Sequence, residues 1–387
     1  MEISKKMSKL SSAVFTELNN KKMELIAKGL EVIDFSIGTP DIPPSPRLIE
    51  IFVNEASKLE NYVYAISDKD ELIASVIKWY KKRYKVDLDK EEIVSLLGSQ
   101  SGFGEIALTL LNPGDLVLIP DPGYPIFKIG PLIAGAKIHT MPLTKENNYI
   151  IDLDGIDPII AKEAKLMIVS YPNNPTGAIA SLDFYKKLVA FAKKYNIIVL
   201  HDNAYSELIF DGNIGISFLS IPGARDIGIE FNSLSKTFSI PGCRIAFALG
   251  NRTIIHGLKT LKSHLDYGMF LPFQKVAIEA LDNGDAYVSY VRDTYLKRRN
   301  LLIEGLKDIG WSIDYSGGTM FVWAPIPSNY KNSFDFTMDL LEKTGVIVVP
   351  GSSFGEEGEG YIRIALVQTE ENILKAINNI KNSNIFR

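Results

Sequence analysis

Seven short runs rich in Ile, Val and Leu recur between residues 93 and 249, at 93–97, 116–119, 136–141, 165–170, 197–200, 227–231 and 245–249. They are rich in apolar residues on both faces, as buried sheet strands are. Stretches of helical period, such as 102–111 and 181–195, lie between several of them. Alternating strand and helix constrains the chain to a mostly parallel central sheet with helices on both faces, an α/β fold. Turn signals at Asn112-Pro113-Gly114-Asp115 and Asp121-Pro122-Gly123 separate the units. Past residue 283 the pattern changes. A long charged helix at 285–308, a strand at 319–323, a helix at 334–343, strands at 346–349 and 361–366, and a last helix describe a smaller α+β unit. The expected organisation is an arm, 1–45, packed with the C-terminal unit, a large unit, 46–283, and a small unit, 284–387.

Several classes of function are disfavoured at once. Lys plus Arg total 42 against 46 for Asp plus Glu, a net charge of -4 with no basic tract, so no nucleic-acid partner is expected. No apolar run approaches the ~20 residues needed to span a bilayer, so no membrane partner is expected. The basic start of the chain is not followed by an apolar core, so no signal peptide is expected. Cys243 is the single cysteine, which leaves no internal disulfide and suits a cytoplasmic location.

Four clusters fall at or just after strand ends, where open α/β sheets bind ligands. Gly98-Ser99-Gln100 stands where a strand hands over to a helix; free N–H groups there suit phosphate, although an ordinary serine cap reads the same way. Tyr171-Pro172-Asn173-Asn174-Pro175-Thr176-Gly177 is a stiff loop that can hold an amide in place or simply form an Asx-type turn. Asp202-Asn203-Ala204-Tyr205 puts a carboxylate at the end of a buried run, where it needs a partner or caps a helix. Ser233-Leu234-Ser235-Lys236-Thr237, with Arg244 eight residues after the lysine, sets an amine among apolar strands and small hydroxyls. A desolvated amine of that kind is what Schiff-base chemistry needs. Together the clusters offer a phosphate cradle, an amide, a carboxylate, a phenol and a lysine, the equipment for holding pyridoxal 5'-phosphate.

On the Asn-Asn-Pro-Thr-Gly loop, the Asp-Asn-Ala-Tyr segment and Ser-Leu-Ser-Lys-Thr with Arg244, the chain resembles the fold-type-I, pyridoxal-phosphate-dependent class I/II aminotransferases over essentially its whole length. It looks most like the LL-diaminopimelate aminotransferase type, through Asp121-Pro122-Gly123-Tyr124-Pro125, the run from Gly228 to Lys236, and Gly250-Asn251. The resemblance implies the aspartate aminotransferase-like fold and transfer of an amino group from an α-amino acid to a 2-oxo acid such as 2-oxoglutarate. Lys236 would hold the cofactor aldehyde and move the proton at the α-carbon. Asp202 would keep the ring nitrogen protonated, Tyr205 and Asn174 would bond the ring oxygen, and Tyr124 would stack on the ring. Ser99 and Gln100, with Ser233, Ser235 and Arg244, would hold the phosphate. Arg363 would grip the substrate carboxylate beside Gly38. Such enzymes are homodimers with shared active sites, in which a tyrosine of the second copy reaches the phosphate; Tyr64 is the candidate, with Tyr62 left open.

Some positions depart from the diaminopimelate type. Gln100 stands for a lysine, His264 for an asparagine and Ala13 for a tyrosine, and Ser67 sits near where a glutamate is expected. These positions concern the substrate rather than the cofactor. A carbon–sulfur lyase or decarboxylase on the same fold is the alternative. A more remote one is a serine acyl-transferase, from Ser233-Leu234-Ser235-Lys236 as Ser-x-x-Lys and Lys343-Thr344-Gly345 as Lys-Thr-Gly. A regulator on this fold would need an added DNA-binding domain, for which 387 residues leave no room.

Overall fold

The computed structural model describes residues 2–4, 6–7 and 13–386, and the side chains of all of these but 13–15. Ala13 therefore falls outside the side chains described. The strands are β1 (Ile33–Asp34), β2 (Ile93–Leu97), β3 (Leu116–Asp121), β4 (Lys137–Pro142), β5 (Ala164–Ser170), β6 (Ile198–Asp202), β7 (Gly228–Ser233), β8 (Ile245–Gly250), β9 (Phe321–Pro325), β10 (Val346–Ile347), β11 (Val349–Pro350) and β12 (Tyr361–Ala365). All seven apolar runs become the strands of one sheet, in the order β2-β8-β7-β6-β5-β3-β4. Strands β3 to β7 run parallel. Strand β8 is antiparallel to both of its neighbours.

The apolar residues on both faces are explained by what covers each face. Met167 and Val169 of β5 belong to one apolar cluster, with Trp79, Leu188 and Val276 from the helices Asp70–Tyr84, Leu182–Tyr195 and Leu271–Asn283. Their neighbours Leu166 and Ile168 belong to another, with Phe103, Phe127 and Ile255 from the helices Ser99–Leu110, Ile126–Ala134 and Arg252–Leu265. Alternate side chains of a strand point to opposite faces, so both sets must be apolar. Each fully buried Leu, Ile or Phe contributes roughly 1.5–3 kcal/mol.

After β3 the chain steps to one side for β4, then to the other for β5, β6 and β7. That reversal opens a crevice at the carboxyl ends of the strands. The pairing of Ser170 with Asp202 sets the ends of β5 and β6 level, and β7, paired through Phe231 with Asp202, runs two residues further to Ser233. The loops after them therefore converge.

A separate cluster, including Phe35, Leu302, Phe321, Phe336 and Ile364, organises the C-terminal unit. Its sheet is antiparallel, β11-β12-β9. The single strand expected at 346–349 is split. Val346 and Ile347 pair with β1, whereas Val349 and Pro350 pair with β12, and buried Val348 stands between the two sheets. The pairing of β1 with β10 is what fastens the N-terminal arm to this unit. Among the described residues no helix is long and apolar enough to cross a membrane.

Candidate active site

The crevice is a cavity of about 590 Å³. From the sheet it takes Ser99, Gln100, Tyr124, Asn174, Asp202, Tyr205, Ser233, Ser235, Lys236 and Arg244; from the C-terminal unit and the arm it takes Arg363 and Gly38. Expected site residues thus come together from segments far apart in the chain.

Tyr64 is the exception. It does not line this cavity but lies on the surface, 81% exposed, its ring 5.4 Å from that of Tyr267. Tyr62 is also exposed, and its hydroxyl donates to the Ala56 carbonyl at 2.8 Å.

One end of the cavity is rich in donors. The helix Ser99–Leu110 starts earlier than its periodicity suggested, because Gly98 takes φ +84 and turns the chain straight out of β2. Ser99 and Gln100 therefore sit in the first turn, where N–H groups have no acceptor within the helix. A side chain at Gly98 would run into the Arg244 guanidinium, so that cation lies against the bare glycine backbone. Arg244 itself has φ 53 and donates to the Pro241 carbonyl at 3.1 Å. The Ser233 hydroxyl accepts from the Ser235 amide at 3.2 Å and opens the short helix Leu234–Thr237 that carries Lys236.

Two charged groups here are tuned by burial. Lys236 Nζ donates to the Gly38 carbonyl at 2.5 Å. Burial first, then the positive charges of Arg363 and Arg244, pull its ammonium down to about 8. Asp202, at the end of β6, accepts from the Ala204 amide at 3.3 Å. Burial pushes its carboxyl up to about 6, against the opposing pull of His201 and of that amide.

At the other end Arg363 is fully enclosed. Nη1 donates to Asn174 Oδ1 at 3.0 Å and Nη2 to the Ser36 carbonyl at 3.1 Å. Its guanidinium lies 4.1 Å from the Phe321 ring centre and 4.7 Å from that of Phe354. Nε is buried with no partner among the described residues. Burial lowers the guanidinium to about 10, with Tyr205 and Tyr124 opposing. An extra carbon at Gly38 would sit 3.1 Å from Phe321, so a bare backbone is what fits there.

Both readings of the Asn-Asn loop hold, one for each asparagine. Asn173 Oδ1 accepts from the Thr176 amide at 3.2 Å and from its hydroxyl at 2.8 Å, which is the turn; Asn174 is free to reach Arg363. Lys343-Thr344-Gly345 lines no part of the cavity. Lys343 pairs with Asp339 at 2.7 Å, and Gly345, with φ 71, ends the helix Ser333–Thr344. Sequence reasoning missed Phe321 and Phe354, the aromatic walls of Arg363. Nothing but their place beside Thr319-Met320 and Gly355 marked them out from other core phenylalanines.

The family model for aminotransferase class I and II matches residues 31–380. The LL-diaminopimelate aminotransferase of Halothermothrix orenii is 42% identical over 387 residues, 100% of this chain and 99% of the relative. That of Aquifex aeolicus is 42% identical over 383 residues, 98% of this chain and 99% of the relative. Among solved structures, substrate-bound BacF of Bacillus subtilis matches with a TM-score of 0.95 at 34% identity, covering 99% of this chain and 98% of that one. A Thermus thermophilus aspartate aminotransferase mutant matches with a TM-score of 0.93 at 24% identity, over 99% of this chain and 100% of the other, a likeness of fold alone.

Proposed function

The chain belongs to the class I and II aminotransferases, pyridoxal-phosphate enzymes that move an amino group from an amino acid to a 2-oxo acid, and from that premise we propose what its own residues do. The donor set of the cavity suits the cofactor. It holds a desolvated amine for the aldehyde, a buried carboxylate for the ring nitrogen, an aromatic wall, and hydroxyl, guanidinium and helix-terminal donors for the phosphate. Bound there, pyridoxal phosphate supplies an electron sink for charge developing at the α-carbon.

Lys236 binds the aldehyde through Nζ and, once released, carries the α-proton. Asp202 holds a proton on the ring nitrogen. Tyr205 and Asn174 donate to the ring oxygen, and Tyr124 covers the ring face. Ser99 and Gln100, through backbone N–H, with Ser233, Ser235 and Arg244, hold the phosphate. Arg363 takes the donor carboxylate through a bidentate pair, and Gly38 lets the chain approach it. We read 46–283 as the unit that holds the cofactor and 284–387, with the arm 1–45, as the unit that brings Arg363. The observation that carries this reading is the buried Lys236 amine sharing one cavity with Asp202 and Arg363.

A second copy of the chain completes the enzyme in this reading. Leu59, Val63, Tyr64 and Ile66 are all at least 60% exposed on one short segment, and Tyr64 touches the half-exposed Tyr267. That surface is where the partner would sit, with Tyr64 reaching into the opposite cavity.

For the donor, the reading departs from the relatives' names. The charged side chains lining the cavity, among the described residues, are Asp202, Lys236, Arg244 and Arg363, and each already has work. The uncommitted wall is Ile37, Ile126 and Ile129. A monocarboxylic donor with an apolar or aromatic side chain suits it. The test is the visible spectrum of the purified protein, followed by a panel of amino donors with 2-oxoglutarate. A yellow, pH-sensitive protein that turns over neutral donors is expected. A colourless protein that takes up no added cofactor would end the reading.

A further inference from the structure

Behind the cavity, on the opposite face of the sheet from Asp202, lies a polar cluster with no part in the scheme above. His201 and Glu230 are both 0% exposed, on the adjacent strands β6 and β7. Glu230 Oε1 accepts from the Tyr80 hydroxyl at 2.8 Å, Oε2 accepts from the Phe218 amide at 2.8 Å, and the Ser217 hydroxyl donates to both oxygens at 3.0 Å. Each of these partners is a donor, so both carboxyl oxygens act as acceptors. Nδ1 of His201 lies 2.9 Å from Oε2, so the hydrogen between them sits on the ring nitrogen.

The other ring nitrogen is equally constrained. Nε2 lies 3.1 Å from the Tyr171 carbonyl oxygen, which can only accept, and 3.0 Å from the Tyr185 hydroxyl, whose oxygen accepts as well as donates. A bare Nε2 would set lone pair against lone pair at the carbonyl. Hydrogen on both ring nitrogens satisfies every one of these partners, and the Glu230 carboxylate beside Nδ1 would balance the resulting charge at this fully enclosed place.

The position of this ring matters for the site. His201 precedes Asp202, and neighbouring strand residues point to opposite faces. The carbonyl bonded to His201 belongs to Tyr171, which leads into the loop that carries Asn174. We propose that His201 is a positioning residue of the transamination site: an imidazolium clamped between Glu230 and the Tyr171 carbonyl that keeps the neighbouring Asp202 ionised and ties the Asn174 loop to the strand bearing Asp202. The inference rests on the reading of Asp202 as the partner of the ring nitrogen. Around His201 stand Glu230, Tyr185 and Tyr171; Asp202 itself feels His201, which holds its carboxyl down, Glu230, which raises it, and Tyr124 and Tyr205 across the cavity. Tyr80 and Tyr185 keep their hydrogens, since burial and then Glu230 push both hydroxyls well above the usual phenol range.

The experiment uses the cofactor-loaded enzyme with nitrogen-15-labelled histidine. Four histidines give a tractable spectrum, and His201→Gln assigns the ring. At the pH of the activity assay one ring with both nitrogens protonated is expected. A neutral ring overturns the proposal. This measurement on the unaltered protein needs no variant to fold. His201→Gln keeps a donor and removes the charge, so the acid limb of its kcat profile should move up by about one pH unit. A folded variant whose acid limb stays in place also overturns the proposal. The failures are separable. A wild-type protein with neither visible absorption nor turnover marks failure of the site reading. An active wild type with a neutral ring marks failure of this inference.

Discussion

Arg363 Nη1 donates to Asn174 Oδ1 at 3.0 Å, joining β12 of the C-terminal unit to the loop after β5. The bond orients a guanidinium already walled by Phe321 and Phe354, and it leaves Nε with no acceptor among the described residues. A substrate carboxylate entering the cavity would give that donor a partner.

Replacing Arg363 with Lys keeps the charge and removes the planar fork. Bidentate binding is lost, and the shorter head group no longer fills the space between the two rings. The KM for the amino donor should rise by roughly 100-fold, with a smaller fall in kcat. Steady-state kinetics decide it: an unchanged KM would remove Arg363 from carboxylate binding.

The ammonium of Lys236 is drawn down to about 8 by burial and by two nearby cations. Only the neutral amine attacks an aldehyde. The neutral fraction therefore grows as pH rises through about 8, and capture of added cofactor by the apoprotein should accelerate over that interval and level off near pH 9. Stopped-flow absorbance from pH 6.5 to about 10 measures it. A rate still climbing at the top of that range is the behaviour of an ordinary lysine and would contradict the burial seen here. Lys236→Ala should lose turnover and the pH-sensitive visible absorption together.

The sheet was legible because its signal is local. Strands buried on both faces are apolar at most positions, and all seven runs become strands with ends displaced by a residue or two, although β4, at the edge of the sheet, is largely exposed. The break at Val348 was not legible, since four consecutive apolar residues look alike whether they serve one sheet or two. Lys236, Asp202 and Asn174 were legible because polar groups at the ends of buried strands stand out. The aromatic walls of Arg363 were not, because a phenylalanine facing a cation and one facing core have the same sequence signature. Likewise His201 and Glu230 interrupt apolar strands, yet only the register of β6 on β7 shows that they face each other.

Asp202→Ala should cost catalysis more than binding. The carboxylate matters most when negative charge reaches the cofactor ring, so its loss falls on the transition state. A drop in kcat of roughly 100-fold or more is expected, with cofactor still bound through the phosphate end. Burial holds the Asp202 carboxyl up at about 6, so wild-type kcat should decline as the pH falls through that value. A variant with wild-type kcat would dismiss the role.

Gly98→Ala tests the cradle with the fold left largely intact. The glycine takes φ +84, and an added methyl would meet the Arg244 guanidinium. With φ +84 and ψ 149 this backbone is open essentially to glycine, so alanine costs about 1–3 kcal/mol there, and displacement of the cation adds to that. Affinity for pyridoxal phosphate should fall at least about tenfold, with a near-normal far-ultraviolet spectrum. Equilibrium dialysis of the variant gives the number; wild-type affinity would mean that Arg244 is not a phosphate ligand.

LL-diaminopimelate should be a poor donor, although relatives 42% identical carry its name. Its far end bears a second ammonium and carboxylate, and a site that takes these needs fixed polar partners for them. In this cavity Gln100 accepts from Tyr124 at 3.1 Å, and every charged side chain of the lining is already assigned. His264 is exposed on the helix Arg252–Leu265 and does not reach the cavity of its own chain. Two or three missing polar contacts at ~1–3 kcal/mol each would lower kcat/KM by several orders of magnitude. The grip of Arg363 on the α-carboxylate is untouched, so phenylalanine, leucine and methionine should all turn over faster. Competing donors at equal concentration with 2-oxoglutarate test this directly. If LL-diaminopimelate outruns every neutral amino acid, the second copy of the chain must bring the missing charges, and the apolar wall of Ile37, Ile126 and Ile129 does not set the specificity.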